Sequence, residues 1–213
     1  MISATMSLNV MSISKSLMYD PIKVLLKNSE VAVDLISQFY LDVESEELKF
    51  DTLLDLYTLV STSQAIIFCN TIRKVEWLEQ NLTQNNFPIT VIHSNMTQEK
   101  RDSVVNEFRE GKTRLLLTTD LLSRGIDIQQ VGLIINYDIP RDPEEYIHRV
   151  GRSGRFGKVG VAVTFVIKRK RDDKIKKHHA RFISTSPYGN SASAFAVSDF
   201  TCLPVGLYPH QSA

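Results

Sequence analysis

Three arginines in the stretch "YIHRVGRSGRFGKVG", Arg149, Arg152 and Arg155, recur at steps of three, and each is followed two residues later by a glycine, Gly151, Gly154 and Gly157. A planar guanidinium makes two charge-assisted hydrogen bonds to a phosphate at once. Glycine lets the backbone come close to a ligand. The spacing therefore fits a polyanion site. It also fits a solvated basic loop, which is what most charge runs are. Further polar residues that could share such chemistry follow apolar runs: Asn70 and Thr71, His93 to Asn95, Thr118 to Asp120, and Asp138 to Arg141.

An alternation of strands and helices must position these groups. Ile36 to Val43 reads as a strand, alternating toward its end through Phe39, Leu41 and Val43. Glu46 to Ser61 sets Phe50, Leu53, Leu54, Tyr57 and Val60 on one helical stripe. "QAIIFC" (Gln64 to Cys69) suits a buried parallel strand. Thr71 can then cap a helix carrying Val75, Leu78 and Leu82. "ITVIH" (Ile89 to His93) is the next strand, and a helix over Thr97 to Arg109 buries Val104, Val105 and Phe108. "TRLLLTT" (Thr113 to Thr119), "GLIINY" (Gly132 to Tyr137) and "GVAVTFV" (Gly160 to Val166) complete the strands, separated by short helices near Leu121 and over Pro143 to Val150. The alternation predicts an α/β domain with a mainly parallel sheet covered on both faces. Ligands bind such sheets beyond the carboxyl ends of the strands, where the polar residues above fall.

Composition permits this domain and narrows its partners. The chain has 213 residues, 43% of them hydrophobic, and only two cysteines, Cys69 and Cys202. Two distant cysteines argue against a disulfide framework and fit a reducing compartment. No apolar run approaches the roughly 20 residues of a membrane span, and no basic-then-apolar leader opens the sequence. Net charge is only +1, but Arg141 to Arg181 holds thirteen Lys or Arg against five Asp or Glu, leaving twelve against nineteen elsewhere. A local field of this kind steers a polyanion to one face.

Short motifs occur in a fixed order: "SAT" (Ser3 to Thr5), "IIFCNT" (Ile66 to Thr71), "TQEKRDSVVNEFREG" (Thr97 to Gly111), "TTDLLSRGIDI" (Thr118 to Ile128), "NYDIP" (Asn136 to Pro140) and "HRVGRSGRFG" (His148 to Gly157). The ordered set resembles the C-terminal RecA-like domain of DEAD-box ATP-dependent RNA helicases. The flanking text "KFDTLLDLY", "RKVEWL" and "DIQQVGLIINYDIP" looks most like translation initiation factor 4A members. The resemblance implies a RecA-like three-layer αβα fold. It implies that Arg152 and Arg155 are arginine fingers for the ATP γ-phosphate, acting with His148 at the catalytic centre. Gly125 and Asp127 would lie at the nucleotide, and Ser3, Thr5, His148 and Arg149 would couple ATP to the opposite domain. Gln98, Arg101, Arg109, Gly111, Thr119 and Asp120 would grip the RNA backbone without reading sequence. Translation initiation scaffold proteins are the partners implied, no membrane is, and the location implied is the cytoplasm, with the nucleus as the alternative.

The chain departs from that pattern in several places. The family's ATP and Mg²⁺ need a P-loop lysine and a DEAD carboxylate box, and neither G-x-x-x-x-G-K-[ST] nor D-E-A-D occurs here. Ser94-Asn95 stands where Gly-Asp is usual. The expected organisation is therefore a remnant of a first domain plus linker over 1–34, the RecA-like domain over 35–167, and a basic, then low-complexity, disordered tail over 168–213. The first part is expected to hold a helix over Ser7 to Met18 and a short strand at Ile22 to Leu26. The tail offers little apolar area, so one sheet face is expected to be under-covered unless Phe182, Tyr188, Phe195, Phe200 and Leu203 fold back. Two functions stay open: half of an ATP-dependent RNA helicase, or a non-catalytic homologue that binds RNA or a partner weakly.

Overall fold

A computed structural model describes residues 8–20, 22, 24, 36–59, 64–120, 131–154, 159–167 and 194–195. Helix α1 (Leu8–Leu17) comes first, followed by β1 (Ile36–Val43), α2 (Lys49–Leu59), β2 (Ala65–Phe68), α3 (Ile72–Gln84), β3 (Ile89–Ile92), α4 (Gln98–Arg109), β4 (Leu115–Thr118), β5 (Leu133–Asn136), α5 (Pro143–Val150), β6 (Gly160–Ile167) and β7 (Ala194–Phe195). The strands form one sheet in the order β3-β4-β2-β5-β6-β1-β7, with every pairing parallel.

Alternate side chains on each strand enter opposite cores. On β2, Ala65 and Ile67 join α2 and α3 through Leu53, Leu56, Val75, Leu78 and Leu82. Ile66 and Phe68 join α4 and α5 through Val105, Phe108, Tyr146 and Val150. The strands thus read as continuous apolar runs because both faces are covered. Crossovers running toward β3 (β1 to β2, β2 to β3) use the α2/α3 face. Those running toward β1 (β3 to β4, β5 to β6) use the α4/α5 face, as a single crossover hand requires. The direction reverses between neighbours β2 and β5, so the crevice beyond their carboxyl ends is the topological switch point where ligands bind in such sheets.

Helix ends follow local chemistry. Thr71, Thr97 and Asp142 accept from the backbone N–H three residues on, and Pro143 opens α5. The α4 terminus is a Schellman turn: Gly111 N donates to Phe108 O at 3.0 Å and Lys112 N to Glu107 O at 3.2 Å. Gly111 takes φ +74°, which an L side chain resists. Asn86 ends α3 the same way at φ 60°.

Several expectations need correction. Leu56, not on the stripe read for α2, is 1% exposed, and Phe39 is only half-buried. Of the expected strand at Ile22 to Leu26 only Ile22 and Val24 are described; neither is in a strand, and they are 95% and 87% exposed. The under-covered sheet face is not found among the described strands. Ile36, Tyr40, Ala162 and Val166 on one face, and Leu41, Val43, Val163 and Phe165 on the other, are all buried. Within 168–213 only Ala194–Phe195 are described, and they pair with Tyr40 and Leu41. The helix expected near Leu121, the Val60 position and the rest of the tail lie outside the described residues.

Candidate functional site

The first and second of the three evenly spaced arginines have different surroundings. Arg149, on the inner side of α5, is 0% exposed. Its Nε donates to Asp120 Oδ1 at 2.5 Å and its Nη2 to Asp120 Oδ2 at 2.9 Å. Nη2 also donates to Asn70 Oδ1 at 2.7 Å, and Nη1 to the Asp138 carbonyl at 2.8 Å and to Asn136 Oδ1 at 3.4 Å. All five guanidinium hydrogens are engaged, and the group lies 5.3 Å over the Phe68 ring. A buried guanidinium without such partners would not persist. Arg149 therefore bolts α5 to the ends of β2, β4 and β5 inside its own domain and leaves no hydrogen for a neighbouring domain.

Arg152 lies past the end of α5, half-exposed. Its Nε donates to the His148 carbonyl at 3.2 Å, which holds the chain over the helix terminus. His148 is half-exposed on the same helix. Ser153 Oγ donates to Val131 O and Gly132 O, both at 3.2 Å. Gly160 passes so close to Ser153 and Gly154 that a Cβ there would strike the Gly154 nitrogen at 2.5 Å. Of the spaced glycines, Gly154 takes φ 67° and a Cβ at Gly151 would meet the Ile147 carbonyl at 2.9 Å, so both have a local backbone reason. Arg155, Gly125, Asp127, Ser3 and Thr5 lie outside the described residues.

On the opposite side of the switch point Asn70 and Asp138, both singled out in the sequence, meet Glu46, Lys49 and Lys74, which sequence reasoning missed. The Asp138 carboxylate accepts from Lys49 Nζ at 3.3 Å, Lys74 Nζ at 2.6 Å and Asn70 N at 3.0 Å. Glu46 accepts from the same two lysines, at 3.0 and 2.6 Å. Both ammoniums also lie over the Tyr137 ring, at 5.4 and 5.8 Å. Burial pushes the Asp138 carboxyl up, but the Asn70 N–H and the two ammoniums outweigh it and hold it below the ordinary aspartate value. Glu46 is held low by the same balance. Burial would lower Lys74, yet its two carboxylates raise it. The available signal was Lys49, the single cation among Glu44, Glu46, Glu47, Asp51 and Asp55.

The residues assigned to RNA by resemblance fall in three places. Thr119 and Asp120 follow the carboxyl end of β4, with both Asp120 oxygens on Arg149. Gln98 and Arg101 sit in the first turns of α4; Gln98 Nε2 donates to Asp102 Oδ1 at 2.8 Å. Arg101 Nε and His93 Nδ1, at the β3–α4 corner, are buried atoms without a hydrogen-bond partner. Arg109 and Gly111 lie at the far end of α4, both exposed. Among the described residues no cluster of three or more His, Cys, Asp or Glu could hold a metal ion. The strand-end carboxylates Asp120 and Asp138 are committed to cations of the chain itself, so these residues do not fit a Mg²⁺ site. No described helix is long and apolar enough to cross a membrane.

Comparison with known proteins agrees with this architecture. Residues 48–157 match the family described as helicase conserved C-terminal domain. The chain is 52% identical over 188 residues to the ATP-dependent RNA helicase FAL1 of Kluyveromyces lactis, covering 87% of this chain and 47% of that protein. It is 52% identical over 166 residues to the ATP-dependent RNA helicase eIF4A of Schizosaccharomyces pombe, covering 78% and 42%. The chain thus spans about half the length of the curated relatives it matches. Among solved structures, S. cerevisiae Dbp5 bound to RNA and ADP BeF3 superposes with a TM-score of 0.83 at 34% identity, over 93% of this chain and 51% of that one.

Proposed function

Because this chain belongs to the DEAD-box RNA helicases of the eIF4A type and carries their conserved C-terminal domain, we propose that it is the half of such an enzyme that grips the RNA backbone and presents arginines to ATP held on another domain. The observation that carries the RNA part is the placement of exposed Gln98 and half-exposed Arg101 together in the first turns of α4. An accessible guanidinium makes charge-assisted hydrogen bonds to phosphate oxygens. The helix N-terminus adds a favourable dipole for the same anion. Gln98 and Arg101 would hold phosphates, with Thr119 and Asp120 at the strand end and Arg109 and Gly111 beyond. Such contacts position RNA without reading sequence, and 2′-hydroxyl contacts would favour RNA over DNA.

For ATP, Arg152 and His148, after and on α5, are supported by their half-exposed position, which leaves both side chains open to a ligand from outside the domain. The roles of Arg155, Gly125 and Asp127 rest on the motif resemblance, as does the coupling role of Ser3 and Thr5. Guanidinium groups there would stabilise charge developing on the transferred phosphoryl oxygens. Mg²⁺ and the phosphates themselves would be held by the other domain, since the sequence has neither a P-loop nor a DEAD box. The second reading is a non-catalytic homologue that binds RNA or a scaffold protein of translation initiation in the cytoplasm.

Fluorescence anisotropy with a labelled single-stranded RNA at two salt concentrations tests the proposal. Weak binding, similar for unrelated sequences and lost steeply with salt, is expected from counterion release. Arg101→Ala should weaken every sequence alike and reduce the salt slope by about one. Salt-independent binding, or binding to a single sequence, overturns the proposal.

A further inference from the structure

The two charged clusters at the switch point share one junction. On the α2/α3 side, Lys49 and Lys74 converge on the Asp138 carboxylate; on the α4/α5 side, Arg149 converges on Asp120. Between them, the ends of β2 and β5 are zipped together. Asn70 N donates to Asp138 Oδ2 at 3.0 Å, and Asn70 Nδ2 donates to the Ile139 carbonyl at 2.8 Å. Tyr137 N donates to Phe68 O at 3.1 Å. Two acceptors of Arg149, Asn70 Oδ1 and the Asp138 carbonyl, belong to this zip. We propose that Asp138 is a positioning residue: its carboxylate, clamped by Lys49, Lys74 and the Asn70 N–H, fixes the strand-end loop that orients Arg149 and, through Arg149, Asp120.

Chemistry favours a carboxylate in this role. It accepts along several directions at once, so one group can tie α2, α3 and the end of β2 to β5. A neutral amide at 138 keeps one acceptor oxygen for Asn70 N but gives up the attraction of two ammoniums. Both lysines would retain Glu46, so loss of the clamp need not unfold the domain. Lys74 is the milder point of attack, because its side chain is 29% exposed and Lys49 would remain on Asp138. The link to function rests on the reading of Asp120 as a border of the RNA face; the link to Arg149 does not.

The test uses the full chain labelled with nitrogen-15. Arg149 Nε–H, fully buried and bonded to Asp120, should give a slowly exchanging arginine side-chain signal, identified by its absence in Arg149→Lys. In Asp138→Asn and in Lys74→Met that hydrogen should exchange faster by about tenfold, the effect of losing one charge-assisted bond. The amides of core strand residues Ile134 and Leu116 report global opening and should change less. RNA affinity should fall about threefold to tenfold in parallel, and Lys74→Arg should restore both readings. If Arg149 Nε–H stays protected in both variants, or loosens only as much as the core amides, the proposal is overturned. Loosening without a change in RNA affinity overturns the link to Asp120. If the unaltered chain binds no RNA, the RNA reading fails by itself, and the exchange comparison still decides what Asp138 does. Should Asp138→Asn fail to fold, Lys74→Met decides.

Discussion

Replacing Arg149 with methionine keeps most of the side-chain volume and removes five hydrogen-bond donors from a site with no exposure. It takes the guanidinium away from the Asp120 carboxylate, the oxygens of Asn70 and Asn136 and the Asp138 carbonyl. Removing one partner of a buried ion pair costs about 3–5 kcal/mol, mostly because the other charge stays behind. The Asp120 side chain keeps 27% exposure, so water can solvate part of it and the lower end applies, about 3 kcal/mol. That is a large share of the 5–15 kcal/mol that holds a typical domain together. With a urea dependence of about 3 kcal/mol per molar, at the upper end for small proteins, the midpoint should fall by about 1 M. The double variant Arg149→Met, Asp120→Leu removes the stranded charge as well and should regain about half of the loss. Urea unfolding followed by circular dichroism measures both. A midpoint shift below about 0.3 M for the single variant, or no recovery in the double, refutes the argument that Arg149 is a buried anchor. Lys112→Ala, which breaks only the exposed pair with Glu110, should leave the midpoint unchanged.

Four further outcomes are expected. The isolated chain should release no phosphate from ATP above background with RNA present; release that Arg152→Ala abolishes would contradict this. Asp138 and Glu46 have folded-state pKa values below their unfolded values of about 3.9 and 4.3. Their contribution is therefore complete above about pH 5 and disappears as pH falls through the depressed values; urea midpoints between pH 7 and 3 should show the decline, and Asp138→Asn should flatten it. Phe108→Ala, at a side chain with no exposure in the α4 core, should cost about 3–5 kcal/mol by the same unfolding assay, and a loss below about 1 kcal/mol would mean that α4 is not packed as described. Burial pushes the Cys69 thiol far above its ordinary value, so peptide-level mass spectrometry should find Cys69 unalkylated in the native chain and alkylated in urea.

The sequence by itself determined the elements whose causes are local. The run from Pro143 to Val150 is a helix with the bounds expected, because Asp142 caps it and Pro143 suits its first turn. Thr71 and Thr97 start α3 and α4 for the same reason. Apolar runs such as Ala65–Phe68 and Leu115–Thr118 are central strands, four residues long and buried on both faces of the sheet. The ordered motifs carried the family as well, and residues 48–157 match it. What the sequence could not convey is which charges meet. Lys49 and Asp138 lie 89 positions apart, and Asn70 and Arg149 lie 79 apart. Their pairing depends on β2 and β5 being neighbours, which is set by strand order across the whole sheet. Arg149 and Arg152 look alike in the repeat, yet one is sealed in a hydrogen-bonded pocket and the other lies past a helix end. A three-residue step turns a helical residue by about 300°, close to the same face, but α5 stops at Val150, so the regular spacing does not continue as a regular face. Burial of a charge is a property of everything around it, and only the tertiary structure brought Asp120, Asn70, Asn136 and Asp138 to the one arginine that needed them.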